Sequence, residues 1–171
     1  MRITLPIILV LSACNSVVPS TAMRLSGLSP TTADPAGFAV DLELPTGIDI
    51  QPETALLLFS VVRSDTGEAQ SGTFVLERDD TVFRVAPDDL AALRELQKTA
   101  QRWKEEAGGA TEGSLSVNLA PCLMGDGLAP DARVSVGLRL DKDGMFLPLV
   151  RNGPLSAVAS PAQISEMGAC S

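Results

Sequence analysis

The chain has no histidine and no tyrosine in its 171 residues, and it has one tryptophan. Without an imidazole, Ser-His-Asp triads, Cys-His dyads and nearly all zinc and haem sites are excluded. Lysine is scarce as well: only Lys98, Lys104 and Lys142 occur. A Ser-Lys dyad needs a lysine buried enough to lose its proton. Two of these three belong to the polar face of an expected helix and the third to an expected turn. Ser-x-x-Lys, Gly-x-Ser-x-Gly and phosphate-cradling glycine loops are also missing. The most apolar stretch, Ile3 to Ala13, is about eleven residues, whereas a helix needs about twenty to cross a bilayer. Positive charge is in deficit, with 13 Lys and Arg against 21 Asp and Glu. Such a chain repels phosphate backbones and anionic head groups, so nucleic acid is not an expected partner.

What the sequence does contain begins with its leader. Arg2 is followed by Ile3-Thr4-Leu5-Pro6-Ile7-Ile8-Leu9-Val10-Leu11 and then by Ser12-Ala13-Cys14. A charged start, an apolar core and small residues before a cut describe an exported chain. Leu11-Ser12-Ala13-Cys14 resembles the lipobox of bacterial lipoproteins. The resemblance covers the leader alone. It implies that residues 1–13 are a signal peptide, that Cys14 is diacylated on sulfur, and that its new amino terminus is acylated. Several acyl chains satisfy the rule that stable anchoring takes more than one. The expected partner is thus a membrane, through lipid on Cys14, together with an envelope protein. In enteric bacteria an Asp after the lipid cysteine retains lipoproteins in the inner membrane. Asn15 stands here, which favours the periplasmic face of the outer membrane. An ordinary secretory leader with a chance cysteine is the alternative.

Residues 14–22 read as a lipidated tether. The eight residues from Asn15 to Ala22, fully extended, reach at most about 28 Å. Residues 23–171 then form a single β-rich globular domain, long enough to bury a core. All 21 acidic residues follow the cut and Arg2 precedes it, so removal of the leader makes the chain more acidic. With Cys14 lipidated, Cys122 and Cys170 remain. In an oxidising compartment an even remainder reads as one disulfide, Cys122–Cys170, against two free buried thiols.

Met23–Leu28 reads as a short strand and Ser29–Pro35 as a turn cluster. Phe38, Val40, Leu42 and Leu44 alternate with polar or small residues, the signal of a half-buried strand. Thr46–Glu53 reads as a connection. Leu56–Val62 is continuously apolar, which predicts a central strand covered on both faces. Arg63–Gly72 reads as a polar hairpin loop, followed by a hairpin of Thr73–Arg78 and Thr81–Val85 around Asp79-Asp80. From Pro87 to Ala107, Leu90, Leu93, Leu96, Ala100 and Trp103 recur at helical spacing. Asp88 and Asp89 suit the positive end of that helix, and Gly108-Gly109 ends it. Strands resume at Ser114–Leu119 and Arg133–Leu140. Met145–Val150 contains Pro148, which cannot donate to a ladder, so this strand belongs at an edge or a bulge. The Pro-, Ala- and Ser-rich tail from Arg151 is expected to be irregular.

The fold class expected is mainly β (α+β). It is an antiparallel β-sandwich of immunoglobulin-like character with one amphipathic helix at about 87–107, or else an open antiparallel sheet with the helix across one face. Asp141-Lys142-Asp143-Gly144, and Gly125-Asp126-Gly127 with Asp131, have the flavour of calcium loops. Both lack the further oxygen ligands of an EF-hand and read as turns. Acid pairs Asp79/Asp80, Asp88/Asp89 and Glu105/Glu106 are formal candidates for glycan hydrolysis. They read more simply as a turn, a helix start and a solvated face. Trp103 fits either core packing or stacking on a sugar. No catalytic residue, metal or cofactor is expected. The functional expectation is a non-catalytic envelope lipoprotein with a partner-binding or assembly role. A carboxylate-based envelope hydrolase and a glycan- or ion-binding module are the alternatives.

Overall fold

Alternation of apolar and polar side chains lays down most of the backbone. A computed structural model describes residues 31–171. Cys14, the tether and the strand expected at Met23–Leu28 lie outside the described residues. The strands are β1 (Ala39–Glu43), β2 (Ile48–Ile50), β3 (Leu56–Arg63), β4 (Glu68–Asp79), β5 (Val82–Val85), β6 (Thr111–Asn118), β7 (Pro121–Leu123), β8 (Arg133–Arg139) and β9 (Leu147–Pro154). Seven of them form one antiparallel sheet in the order β6-β3-β4-β5-β1-β8-β9, and β2 pairs with β7 in a separate ribbon. The protein is mainly β, of the α+β class.

The register puts the large apolar side chains on one face. Val40 is paired with Phe83 on one side and Leu138 on the other. Leu57 stands between Phe74 and Val117. Phe59, Leu57 and Val61 are fully buried. This face is concave. Leu115 and Val117, on the strand at one end of the sheet, line the same space as Val136 and Leu138 near the other end. The sheet therefore curls until its halves face each other in sandwich fashion.

The helix α1 (Leu90–Ala107) follows a 3-10 turn at Pro87–Asp89. Leu93, Ala100 and Trp103 are buried from it, and Leu90 and Leu96 pack beside them. Gly108, at φ 55°, closes the helix by donating its N–H to the Lys104 carbonyl. The helix lies on the concave side against β3, β4 and β6. Close approach is possible because Gly72 stands opposite Phe59, where a Cβ would sit 2.6 Å from Leu96 Cδ1. The stripe also holds a buried polar residue, Gln97, whose Nε2 donates to the Ala33 carbonyl at 2.7 Å. Together with Gln101, which donates to the Thr31 carbonyl, it straps residues 31–33 onto the helix.

Four expectations are corrected. The strand Leu56–Val62 is interior to the sheet but covered on one face only. Leu56 and Leu58 are half-buried on the convex side, and Val62 is 44% exposed there beside Ala69 and Glu112. Side chains such as Ser60 and Ser114, 2.8 Å apart through their hydroxyls, share this side and keep it wettable. The polar loop expected at Arg63–Gly72 shrinks to a turn at residues 64–67, because β3 and β4 stay paired out to Arg63 and Glu68. Ladder bonds are made by backbone, so polar side chains exposed on both sides do not end a strand. The connection at Thr46–Glu53 contains β2, which pairs with β7 and buries Ile48 and Ile50. The tail from Arg151 keeps strand pairing to Pro154 and then forms the short helix α2 (Pro161–Ser165). That helix starts with a reciprocal capping box between Ser160 and Gln163. The strand containing Pro148 does lie at a sheet end, with register shifts against β8 near Val136.

Candidate functional site

Curling leaves a space that the side chains do not fill. A cavity of about 720 Å³ lies between the two halves of the sheet. Its first wall is Phe38, Val40 and Leu42 from β1 and its approach, with Val136 and Leu138 from β8. The facing wall is Leu115 and Val117 of β6, continued by Leu119. Ile48 and Ile50 of the ribbon close one side. The remaining side is a C-terminal strap, Leu155 to Gly168, which contributes Leu155, Val158 and Met167.

The lining residues also reach solvent along one line. Val158, Gln163, Glu166 and Gly168 on the strap are exposed. The mouth therefore lies along the strap. Among the described lining residues of the strap, Gln163 and Glu166 carry polar side chains. Glu166 is the one charged residue in the described lining. Cavities of roughly 300–1,000 Å³ with apolar walls and a few polar groups are the usual form of small-ligand sites.

The strap is held at both ends. At its start it continues β9, which pairs with β8. At its far end, Leu123 N donates to the Gly168 carbonyl at 2.8 Å, and Cys170 N donates to the Leu123 carbonyl at 3.0 Å. The sulfurs of Cys122 and Cys170 are at disulfide distance, 2.00 Å. Gln51 adds a side-chain bond to the Ala169 carbonyl at 3.3 Å.

Charges lie on the outside and are mostly engaged. The carboxyl of Asp34 is held below the usual carboxylate range by the Ala36 N–H and by Arg94, 3.0 Å away. For Asp49, burial opposes ionisation, but bonds from Arg78 and the Ile50 N–H outweigh it and the pKa falls. Arg63 lowers Asp65 through its hydrogen bond, and the same bond raises the arginine. Arg63 also pairs with Glu106 at 2.7 Å.

The other residues singled out in the sequence are dispersed. Asp79 stands 3.5 Å from Arg84, and Asp80 occupies the hairpin at φ 57°. Asp88 and Asp89 lie in the first turn leading into α1. Glu105 and Glu106 lie in its last turn, with Glu106 committed to Arg63. Lys98 pairs with Glu95 at 2.6 Å on the exposed face of the same helix. Trp103 is 5% exposed and packs in the core, so its ring offers no face to a sugar. Asp141–Gly144 is a hydrogen-bonded turn, with Gly144 N donating to the Asp141 carbonyl at 2.9 Å. Gly125 and Gly127 supply positive φ to the loop around Asp126. Among the described residues, no three His, Cys, Asp or Glu side chains gather as a metal site would require. No helix among them is long and apolar enough to cross a membrane.

The cavity is the feature that sequence reasoning missed. Its lining shows the same alternation as a packed core, so pattern alone does not separate the two. One signal points to it: 45% of residues are hydrophobic but only 4% are aromatic. Leu and Val facing each other across a curled sheet leave volume that Phe, Tyr or Trp would fill. Known proteins offer no guide, since no family model, curated protein or solved structure matches the chain.

Proposed function

We propose that this chain is a lipid-anchored protein of a bacterial cell envelope, held by acyl chains on Cys14 at the periplasmic face of the outer membrane. Its domain acts without catalysis, as a binding module for an apolar ligand. The observation that carries the binding role is the 720 Å³ cavity, apolar in depth and with polar side chains on the strap at its rim. The leader motif supports the anchor. A ligand that prefers an apolar cavity is poorly soluble in water, so the partner is the envelope protein or membrane surface that hands it over. The tether keeps the domain close to such a donor.

Two experiments test the two halves. Full-length chain carrying Cys14→Ser is titrated with the fluorescent apolar probe N-phenyl-1-naphthylamine. A saturable rise in emission is expected, and Val136→Trp, which places an indole in the cavity, abolishes it while the protein stays folded by circular dichroism. A linear, unsaturable response refutes the binding role. In cells, the unaltered chain sediments with membranes and Cys14→Ser appears in the soluble fraction. Continued sedimentation of the variant refutes acylation at that sulfur.

A further inference from the structure

The rim of the cavity specifies more than an apolar occupant. Deep lining on both walls is aliphatic or phenyl, so it accepts a hydrocarbon body without hydrogen-bond demands. Whatever polar end that body carries must stay at the mouth, along the strap, because burying an unpaired polar group is costly. The polar residues there are Gln163 and Glu166. Gln163 Oε1 already accepts the Ser160 N–H at 2.8 Å in the capping box. This leaves the Glu166 carboxylate as the strongest acceptor at the rim. Neither Lys nor Arg occurs among the described lining residues, and the one charge among them, Glu166, is of the same sign as an anionic head.

We infer that the ligand is an amphiphile with a non-anionic, hydrogen-bond-donating head group, an amine or a hydroxyl, which Glu166 accepts at the cavity mouth. The inference rests on the cavity being a ligand site. A charge-assisted bond to a donor head is about twice as strong as a neutral one. Juxtaposing an anionic head with Glu166 is unfavourable at any salt that does not screen a contact pair. Glu166 is exposed beyond the end of α2, so replacing it leaves the fold intact.

The experiment displaces N-phenyl-1-naphthylamine from full-length Cys14→Ser chain with three twelve-carbon competitors below their micelle concentrations: dodecylamine, monododecanoylglycerol and dodecanoate. The amine and the glyceride are expected to displace probe at concentrations about tenfold lower than dodecanoate, a gap equal to about 1.4 kcal/mol. Glu166→Gln shrinks the gap, and Glu166→Lys reverses the order of amine and carboxylate. Equal displacement by all three in the parent, or a gap that Glu166→Gln leaves unchanged, overturns the head-group inference while the cavity reading stands. Failure of the probe itself to bind overturns the cavity reading, and this inference with it.

Discussion

Consider removal of the link between Cys122 and Cys170 by replacing both with alanine. Their sequence separation is 48 residues. Cross-linking a loop of that length restricts the unfolded chain enough to stabilise the fold by about 4 kcal/mol on the chain-entropy account. For a domain of this size each kcal/mol moves the melting midpoint by roughly 2–4 °C, so the double variant is expected to melt about 8–16 °C lower. Alanine is preferred to serine because Cys122 is 1% exposed, and a hydroxyl there would be buried without a partner. Urea unfolding of parent and variant, without reductant, gives the second readout. The slope m should rise in the variant, because an uncrosslinked chain exposes more surface when it unfolds. Hydrogen exchange locates the native-state effect: amides from residues 155–170 should lose protection before those of β3 or α1. A midpoint that falls by less than about 3 °C, with m unchanged, would show that the two sulfurs are not joined or that the unlinked chain is already compact.

Other predictions come from packing and charge. Trp103→Ala should cost about 3–5 kcal/mol in urea unfolding, since the ring is 5% exposed within the core; a cost below about 1 kcal/mol would place it on a wet surface. Gly37→Ala should destabilise more than Gly72→Ala. A Cβ at Gly37 meets backbone atoms, Leu140 O at 2.6 Å and Lys142 N at 2.7 Å, whereas at Gly72 the nearest atoms are side-chain ones, of Leu96 and Phe74. Melting curves showing the reverse order would refute this steric account. Acid should weaken the fold through Asp34 and Asp49. Their folded pKa values lie below the ordinary aspartate range, so their contribution is present above the unfolded pKa and is lost as pH falls through the folded pKa. Replacing both with asparagine should flatten the dependence of melting temperature on pH in the acid range, and an unchanged slope would assign acid sensitivity to other groups.

The parts of the fold that the sequence reveals are those where one local rule acts alone. Val40 and Leu42, or Val134, Val136 and Leu138, alternate with polar neighbours and become β1 and β8. The helix is legible from its stripe and its flanking Pro87 and Gly108. Where two rules compete, the reading slips. The run Leu56–Val62 carries apolar residues on both sides, yet only odd-numbered positions are sealed, because the helix lies on one side of the sheet. Gln97 interrupts the helical stripe with an amide that looks solvent-facing and is buried on the Ala33 carbonyl. Pro121–Leu123 becomes a strand through its pairing with Ile48–Ile50, a contact across about seventy residues that no local window contains. The cavity is harder still, since its existence depends on how far the sheet curls, and curvature is a property of all seven strands together.

The strap is pinned at both ends, by the β8–β9 pairing at its start and by the Leu123 and Cys122 contacts at its close. Its centre can bow outward and return with every rung of the sheet intact. Such local breathing requires far less free energy than melting the whole body. On the proposed ligand-binding reading, traffic in and out of the interior is paced by this strap rather than by the domain, and changes that harden the sheet leave that pace unaltered.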